Sequence, residues 1–244
     1  DKKRIKGELP YTLKRYFQKR QIPLLFGGYI RNEKAESKNY QNSFNSAIFL
    51  DSFGSLKQYY NKQYFVPFGE QIPLIGHFKW VQSLFTSTSY FAKGENYPIF
   101  NGPDSNNFIT VMCFEVLFTS YIRNYLNQNK VDYPSFIVNL TNDSWLLNSA
   151  GPEHHLFLTR WRALEFKMPI IRANNSGIST IIYPDGSLGK TIPFDKNGYL
   201  DLSFKIDSKK GPTIYQMFGD LPYFFYICLL SLIGLISPKK VKET

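Results

Sequence analysis

An α/β domain followed by one C-terminal transmembrane helix is the fold class this sequence predicts. Three observations carry the prediction: short apolar runs alternate with stretches at helical spacing, a cysteine stands at one strand-to-helix junction, and the chain closes on an uncharged apolar run. At 244 residues it can form one sizeable domain with a buried core and needs no second soluble domain.

The opening DKKRIKGELP lacks the apolar region of a signal peptide and reads as a chain entered midway. Residues 22–30, IPLLFGGYI, are a short apolar run containing a Gly pair and predict a buried strand. Residues 43–51 and 55–60 flank Ser52-Phe53-Gly54 and predict a hairpin around a glycine turn. A strand over 108–113 leads into a helix over 115–129. A strand over 133–140 then precedes a helix over 152–166 with Pro152 in its first turn. Strands over 168–173 and 178–183 follow, the second entering the turn Pro184-Asp185-Gly186. The alternation is that of βαβ units.

Residues 221–237 carry no charge, contain PYFFY near their start and are followed by PKKVK. At about 1.5 Å per residue they span about 25 Å, short of a hydrocarbon core of about 30 Å by a gap that interfacial tyrosines and snorkelling lysines can close. The expectation is an α/β domain over 1–220, a transmembrane helix over 221–238 and a basic cytoplasmic tail over 239–244. The positive-inside rule then puts the domain on the outer side of the membrane. A buried core helix is the alternative for the same run.

Composition narrows the function. Hydrophobic content of 43% with 17% aromatics excludes a disordered chain. The net charge of +10 permits acidic partners, but no zinc finger or RNP-type motif accompanies it, so no nucleic-acid partner is expected. Of the two cysteines, Cys228 lies in the last apolar run, so no disulfide framework exists. Adjacent His154 and His155 diverge on a helix and cannot chelate one metal; they read as structural. Arg160, Arg162, Glu165 and Arg172 read as ion-pair members. Cys113, unpaired and just ahead of a predicted helix whose positive end would favour a thiolate, is the candidate nucleophile; a buried core cysteine is its alternative.

Around Cys113 the sequence resembles a known family. YNKQYFVPFGEQIPL at 60–74, Cys113-Phe114-Glu115, the block NLTNDSWLLNSAGPEHHLFLTRWRALEFKMPIIRANNSGIST at 139–180, and GPTIYQMFGD before the last helix are similar to the carboxy-terminal part of bacterial apolipoprotein N-acyltransferases. These belong to the nitrilase, or carbon-nitrogen hydrolase, superfamily, and the resemblance covers roughly residues 22–236. It implies a nitrilase-type αββα sandwich and a Glu, Lys, Cys triad, with Cys113 as nucleophile and Lys62 holding the oxyanion. It implies Glu70 and Glu115 as supporting carboxylates, Glu70 orienting Lys62 or assisting proton transfer and Glu115 bonding backbone around the site. Trp145, Asn142 and Phe114 are implied as substrate-binding residues. Phe114 stands where a tyrosine is common, and Leu146 where an aromatic is common.

The activity so implied is transfer of a fatty acyl chain from a phospholipid, through a Cys thioester, to the N-terminal amine of diacylglyceryl-cysteine on apolipoproteins. It needs no cofactor, and its place is the bacterial inner membrane. The general base of the family is a Glu upstream of the strand at 22–30. Glu8, the only glutamate before Glu33, lacks an apolar strand before it and is not expected to serve. The aromatic stretch 72–100, with Phe78, Trp80, Phe85, Tyr90 and Phe91, is either a loop dipping to the bilayer or core. The rivals are a nitrilase-like amidase on a small amide and a non-catalytic relative.

Overall fold

The structure, a computed structural model, describes residues 11–31, 43–74, 78–85, 88, 91–103, 106–129, 133–146, 149–206 and 211–236. Strand periodicity sets the layers. β1 (Leu24–Arg31), β2 (Ser43–Leu50) and β3 (Leu56–Asn61) pair antiparallel in that order. Successive side chains of a strand point to opposite faces. Hence Ala47 and Phe49 enter the main core while Ile48 and Leu50 pack on Phe17 of α1 (Tyr11–Arg20). The β2–β3 turn is the predicted one: Asp51 Oδ1 accepts from the amides of Phe53 and Ser55, each at 2.9 Å, and Gly54 takes the left-handed φ of 82°.

The chain then passes through α2 (Lys79–Leu84) into a second sheet. β4 (Phe100–Asn101), β5 (Asn107–Met112), β6 (Phe136–Thr141), β7 (Ile170–Asn174), β8 (Ser179–Ile182) and β9 (Leu188–Ile192) lie in sequence order, with β5–β6 and β6–β7 parallel. Parallel neighbours need crossovers, supplied here by α3 (Thr119–Gln128) and α4 (Gly151–Phe166). The two sheets meet where the Phe49 ring sets its edge against Phe100 and Phe108. α3 buries Tyr121, Ile122, Tyr125 and Leu126, one stripe of its surface, with Tyr125 set against Tyr60 of β3. The layers are helix, sheet, sheet, helix, the nitrilase-type sandwich. Strand periodicity alone did not predict α1, β4 or β9, which are short or polar.

Two expectations need correction. The helix expected over 115–129 is broken: Cys113–Leu117 is a 3-10 turn, Phe118 is extended at φ −92° and ψ 90°, and only then does α3 begin. The Glu115 carboxylate accepts the Met112 amide at 2.8 Å and holds that turn tight. Cys113 therefore does not sit at the positive end of an α-helix.

The second correction concerns the membrane. α5 (Ile214–Phe218) is tied down by Arg123, whose Nε and second guanidinium nitrogen donate to the carbonyls of Gln216 and Met217 at 2.7 and 2.8 Å. α6 (Leu221–Ile236) follows with 16 residues, about 24 Å, where a span needs about 20 residues. Among the described residues no helix is long and apolar enough to cross a membrane. The transmembrane helix is not supported, and the sidedness drawn from it falls as well. The core-helix alternative fails too, because residues from Leu221 to Ile233 along α6 are exposed. Glu8 and the tail over 239–244 lie outside the described residues.

Candidate active site

Cys113 stands where β5 ends, at the carboxyl edge of the parallel strands, where α/β sheets place their ligands. Its φ is 48°, a left-handed conformation that a side chain adopts at a cost of about 1–2 kcal/mol. The half-buried residue lines an open cleft of about 1110 Å³ whose opposite wall is the first sheet, including Gly27, Gly28 and Asn45.

Lys62 arrives from that wall. It directly follows β3, its amide donates to Asn45 O at 2.8 Å, and its carbonyl accepts from Gly94 N at 2.9 Å. The side chain is 1% exposed, and Nζ donates to Glu70 Oε2 at 2.5 Å. Glu70 is held in turn by Asn45 Nδ2 at 3.0 Å and the Val66 amide at 2.9 Å. A buried ammonium is tolerable only when so paired, and this one opens on the same cleft as the thiol.

Glu115 is fully buried and does not line the cleft. Its Oε1 accepts from the Tyr60 hydroxyl and the Gln63 amide, both at 2.6 Å, and from the Tyr64 amide at 3.0 Å; Oε2 takes the Met112 amide. Burial raises its carboxyl above the ordinary value, and these four donors draw it back. The Tyr60 hydroxyl also bonds that of Tyr121. One carboxylate thus ties the strand end before Cys113 to the segment that carries Lys62, and the two sheets cannot slide apart at the site without breaking it.

A second buried network lies on the α4 side. Asp143 Oδ1 accepts from Thr141 Oγ1 at 3.2 Å and pairs with His155 Nδ1 at 2.9 Å; Oδ2 accepts from Arg172 at 2.7 Å and Asn174 Nδ2 at 2.6 Å. Burial opposes the Asp143 charge, but His155 and Arg172 together hold its carboxyl below the usual carboxylate range. This pins the loop carrying Asn142 and Trp145, both exposed, to the cleft wall.

The structure thus brings Cys113, Lys62, Glu70, Asn142 and Trp145 onto one cleft and puts Glu115 behind it. Phe114 is elsewhere: its ring packs edge-on against Phe118 at 5.2 Å, and it is not among the cleft-lining residues. In the aromatic stretch, Phe78, Trp80 and Phe85 are exposed and so are not core, Phe91 is half-buried against Tyr29, and Tyr90 lies outside the described residues. His155 and Arg172 occupy the buried network, and Arg162 pairs with Glu165 at 2.9 Å, while Arg160 bonds the Gly186 carbonyl instead of a carboxylate. Asn45, Asp143 and the cleft-side position of Arg172 escaped the sequence reading. The signal available was an arginine inside the apolar strand IIRAN, a position that demands a buried partner.

Comparison with known proteins accords with this geometry. The sequence profile of the family described as carbon-nitrogen hydrolase matches residues 5–206. The apolipoprotein N-acyltransferase of Haemophilus ducreyi is 31% identical over 211 residues, which cover 83% of this chain and 40% of that protein. The apolipoprotein N-acyltransferases of Rhodopseudomonas palustris and Haemophilus influenzae are 31% and 33% identical over 88% and 74% of this chain, and 39% and 34% of theirs. The chain thus spans about two-fifths of the length of these relatives. Among solved structures, an amidase from Nesterenkonia sp. superposes with a TM-score of 0.53 at 17% identity, covering 77% of this chain and 62% of that one. A variant of the Nesterenkonia sp. AN1 amidase, with acrylamide added to its active-site cysteine, gives 0.52 at 16%, over 75% and 63% of the two chains. These two likenesses are of fold.

Proposed function

The chain belongs to the carbon-nitrogen hydrolase family, and we propose that it supplies the acyl-transfer centre of a lipoprotein N-acyltransferase. The observation that carries this reading is Cys113 in a strained turn, sharing a long cleft with a Lys62 that Glu70 holds in place. On this reading the Cys113 thiolate attacks the acyl ester of a phospholipid. The carbonyl electrons move to oxygen beside Lys62 Nζ, a contact worth about 3–4 kcal/mol in the transition state. Collapse releases the lysophospholipid, whose alkoxide takes the proton that the base drew from the thiol, and leaves an acyl thioester on Cys113. The α-amino group of a diacylglyceryl-cysteine then attacks the thioester, its proton passes to the same base, and the amide forms as the thiolate leaves.

Glu70 is occupied by Lys62, Asn45 and the Val66 amide, so its part is to orient Lys62, and the base is a further glutamate, as the resemblance implies. Trp145 and Asn142, on the pinned loop, are proposed to contact the acyl donor. No metal or organic cofactor has a part. The cleft, at about 1110 Å³, exceeds what a small amide fills; sites for drug-sized ligands run to about 1,000 Å³. Exposed Phe68, Trp80 and Phe85 and the bare apolar surface of α6 support work at a membrane surface, where such patches leave water.

Mass spectrometry of the protein after incubation with phospholipid tests the reading. A hydroxylamine-labile acyl adduct on the Cys113 peptide, absent from Cys113→Ala, is expected together with lysophospholipid. No adduct on a thiol that still alkylates would favour an amidase on a small amide.

A further inference from the structure

Between the second sheet and α4 lies a buried guanidinium that the mechanism above leaves without a part. Arg172 is 1% exposed. It donates from one terminal nitrogen to Asn139 Oδ1 at 2.6 Å and Thr159 Oγ1 at 3.2 Å, from the other to Asp143 Oδ2 at 2.7 Å, and from Nε to the Ile178 carbonyl at 3.3 Å. Asn139 passes the contact on: its Nδ2 donates to the carbonyl of Val111 at 3.2 Å, two residues before the nucleophile. Val111, Asn139 and Arg172 form one row across β5, β6 and β7, and Arg172 lines the same cleft as Cys113.

The thiolate needs such a charge. Cys113 opens a five-residue 3-10 turn, which supplies no long-helix dipole, and Glu115 two positions on is a buried carboxylate that opposes a second anion nearby. Among the described residues Lys62 and Arg172 are the two cations lining the cleft, and Lys62 is bonded to Glu70. A guanidinium keeps its proton where an ammonium can lose one.

We propose that Arg172 is a positioning residue whose charge, set behind the nucleophile and shared with Asp143, stabilises the Cys113 thiolate. Burial lowers the guanidinium from its ordinary value and Asp143 opposes that fall, while the row Val111–Asn139–Arg172 carries it up to the strand that ends at the nucleophile. The other ionisable groups around them are Lys62 and Glu70 from the segment after β3, Glu115 from the 3-10 turn, Asp143 from the loop after β6 and His155 from α4. Two anions, Asp143 and the thiolate, compete for one cation. Removing the cation and removing its competitor must therefore move the thiol in opposite directions, which a merely structural role would not do.

The inference rests on Cys113 as nucleophile, and its test needs neither lipid nor lipoprotein, so its failure is distinct from that of the acyl-adduct experiment. In a Cys228→Ser background, the iodoacetamide alkylation rate of Cys113 is measured against pH for the parent, Arg172→Gln, Arg172→Lys and Asp143→Asn, with circular dichroism to confirm folding. Arg172→Gln is expected to raise the midpoint by about one pH unit, about ten-fold less thiolate at neutral pH. Arg172→Lys recovers most of that, and Asp143→Asn lowers the midpoint. A folded Arg172→Gln with the parent's midpoint, or an upward shift in both Arg172→Gln and Asp143→Asn, overturns the proposal. If Arg172→Gln does not fold, Asp143→Asn decides: a downward shift supports the assignment and no shift or a rise overturns it.

Discussion

Lys62 and Glu70, eight positions apart in the chain, meet with Nζ and Oε2 at 2.5 Å on the wall opposite Cys113. The pair makes Lys62 a fixed charge, and a fixed charge costs no reorganisation when an oxyanion forms. Lys62→Met, which keeps the packing and removes the charge, is expected to slow acyl-adduct formation about 10²–10³-fold. Iodoacetamide labelling of Cys113 should persist. A time course of adduct mass checks this, and an unchanged rate would remove Lys62 from the chemistry.

The left-handed φ of 48° at Cys113 has a measurable cost. A side chain there costs about 1–2 kcal/mol, of which glycine forfeits about 0.4–1 through its freer unfolded chain. Cys113→Gly is therefore expected to be about 0.5–1 kcal/mol more stable than Cys113→Ala in urea denaturation. Equal stabilities would show that the turn relaxes.

Gly94 caps the Lys62 carbonyl at close quarters: a Cβ there would lie 2.0 Å from Asn61 O. Gly94→Ala must displace the end of β3 and Lys62 with it, costing about 1–3 kcal/mol and slowing acylation. Gly211→Ala, with nothing within 4 Å, is the neutral control. Thermal unfolding and the adduct assay on both variants separate the two expectations.

The Asp143 carboxyl is held below its ordinary value by His155 and Arg172 against the opposing effect of burial. With the folded value depressed, the unfolded chain binds more protons as pH falls. The stabilisation is present above the unfolded carboxylate pKa, about 3.9, and is lost as pH drops through the folded value. Asp143→Asn should be less stable at pH 7 by about 3–5 kcal/mol, as when a buried pair loses one partner. It should also lack this acid-range slope in urea midpoints measured from pH 3 to 7; an identical slope in both proteins would assign it to other groups.

Much of the framework was legible because its signals are local. The hairpin around Gly54, the strand ending at Cys113 and the helix opening at Pro152 each rest on neighbours within a few residues, and the structure places them with boundaries shifted by a few positions. The break at Phe118 was not legible, since helical spacing runs straight through it; what breaks it is Glu115 turning back to Met112 and across to Gln63 and Tyr64. The reach of α6 was overread for a related reason: an apolar, uncharged run shows what a helix will not leave in water, whereas crossing a membrane is a matter of length.

The chain's own pattern, period two in the strands and near 3.6 in the helices, was enough for an α/β domain with a cysteine at a strand end, while Lys62 and Glu70 were singled out only by the family resemblance. Tertiary structure decided which of those groups meet. It set Lys62 from one sheet opposite Cys113 from the other, withdrew Phe114 from the cleft, and buried Arg172 beside Asp143. The reason is physical: periodicity is written by side chains adjacent along the chain, whereas burial and charge pairing depend on distances between residues 29 to 52 positions apart, as in Arg172 with Asp143 and Glu115 with Gln63.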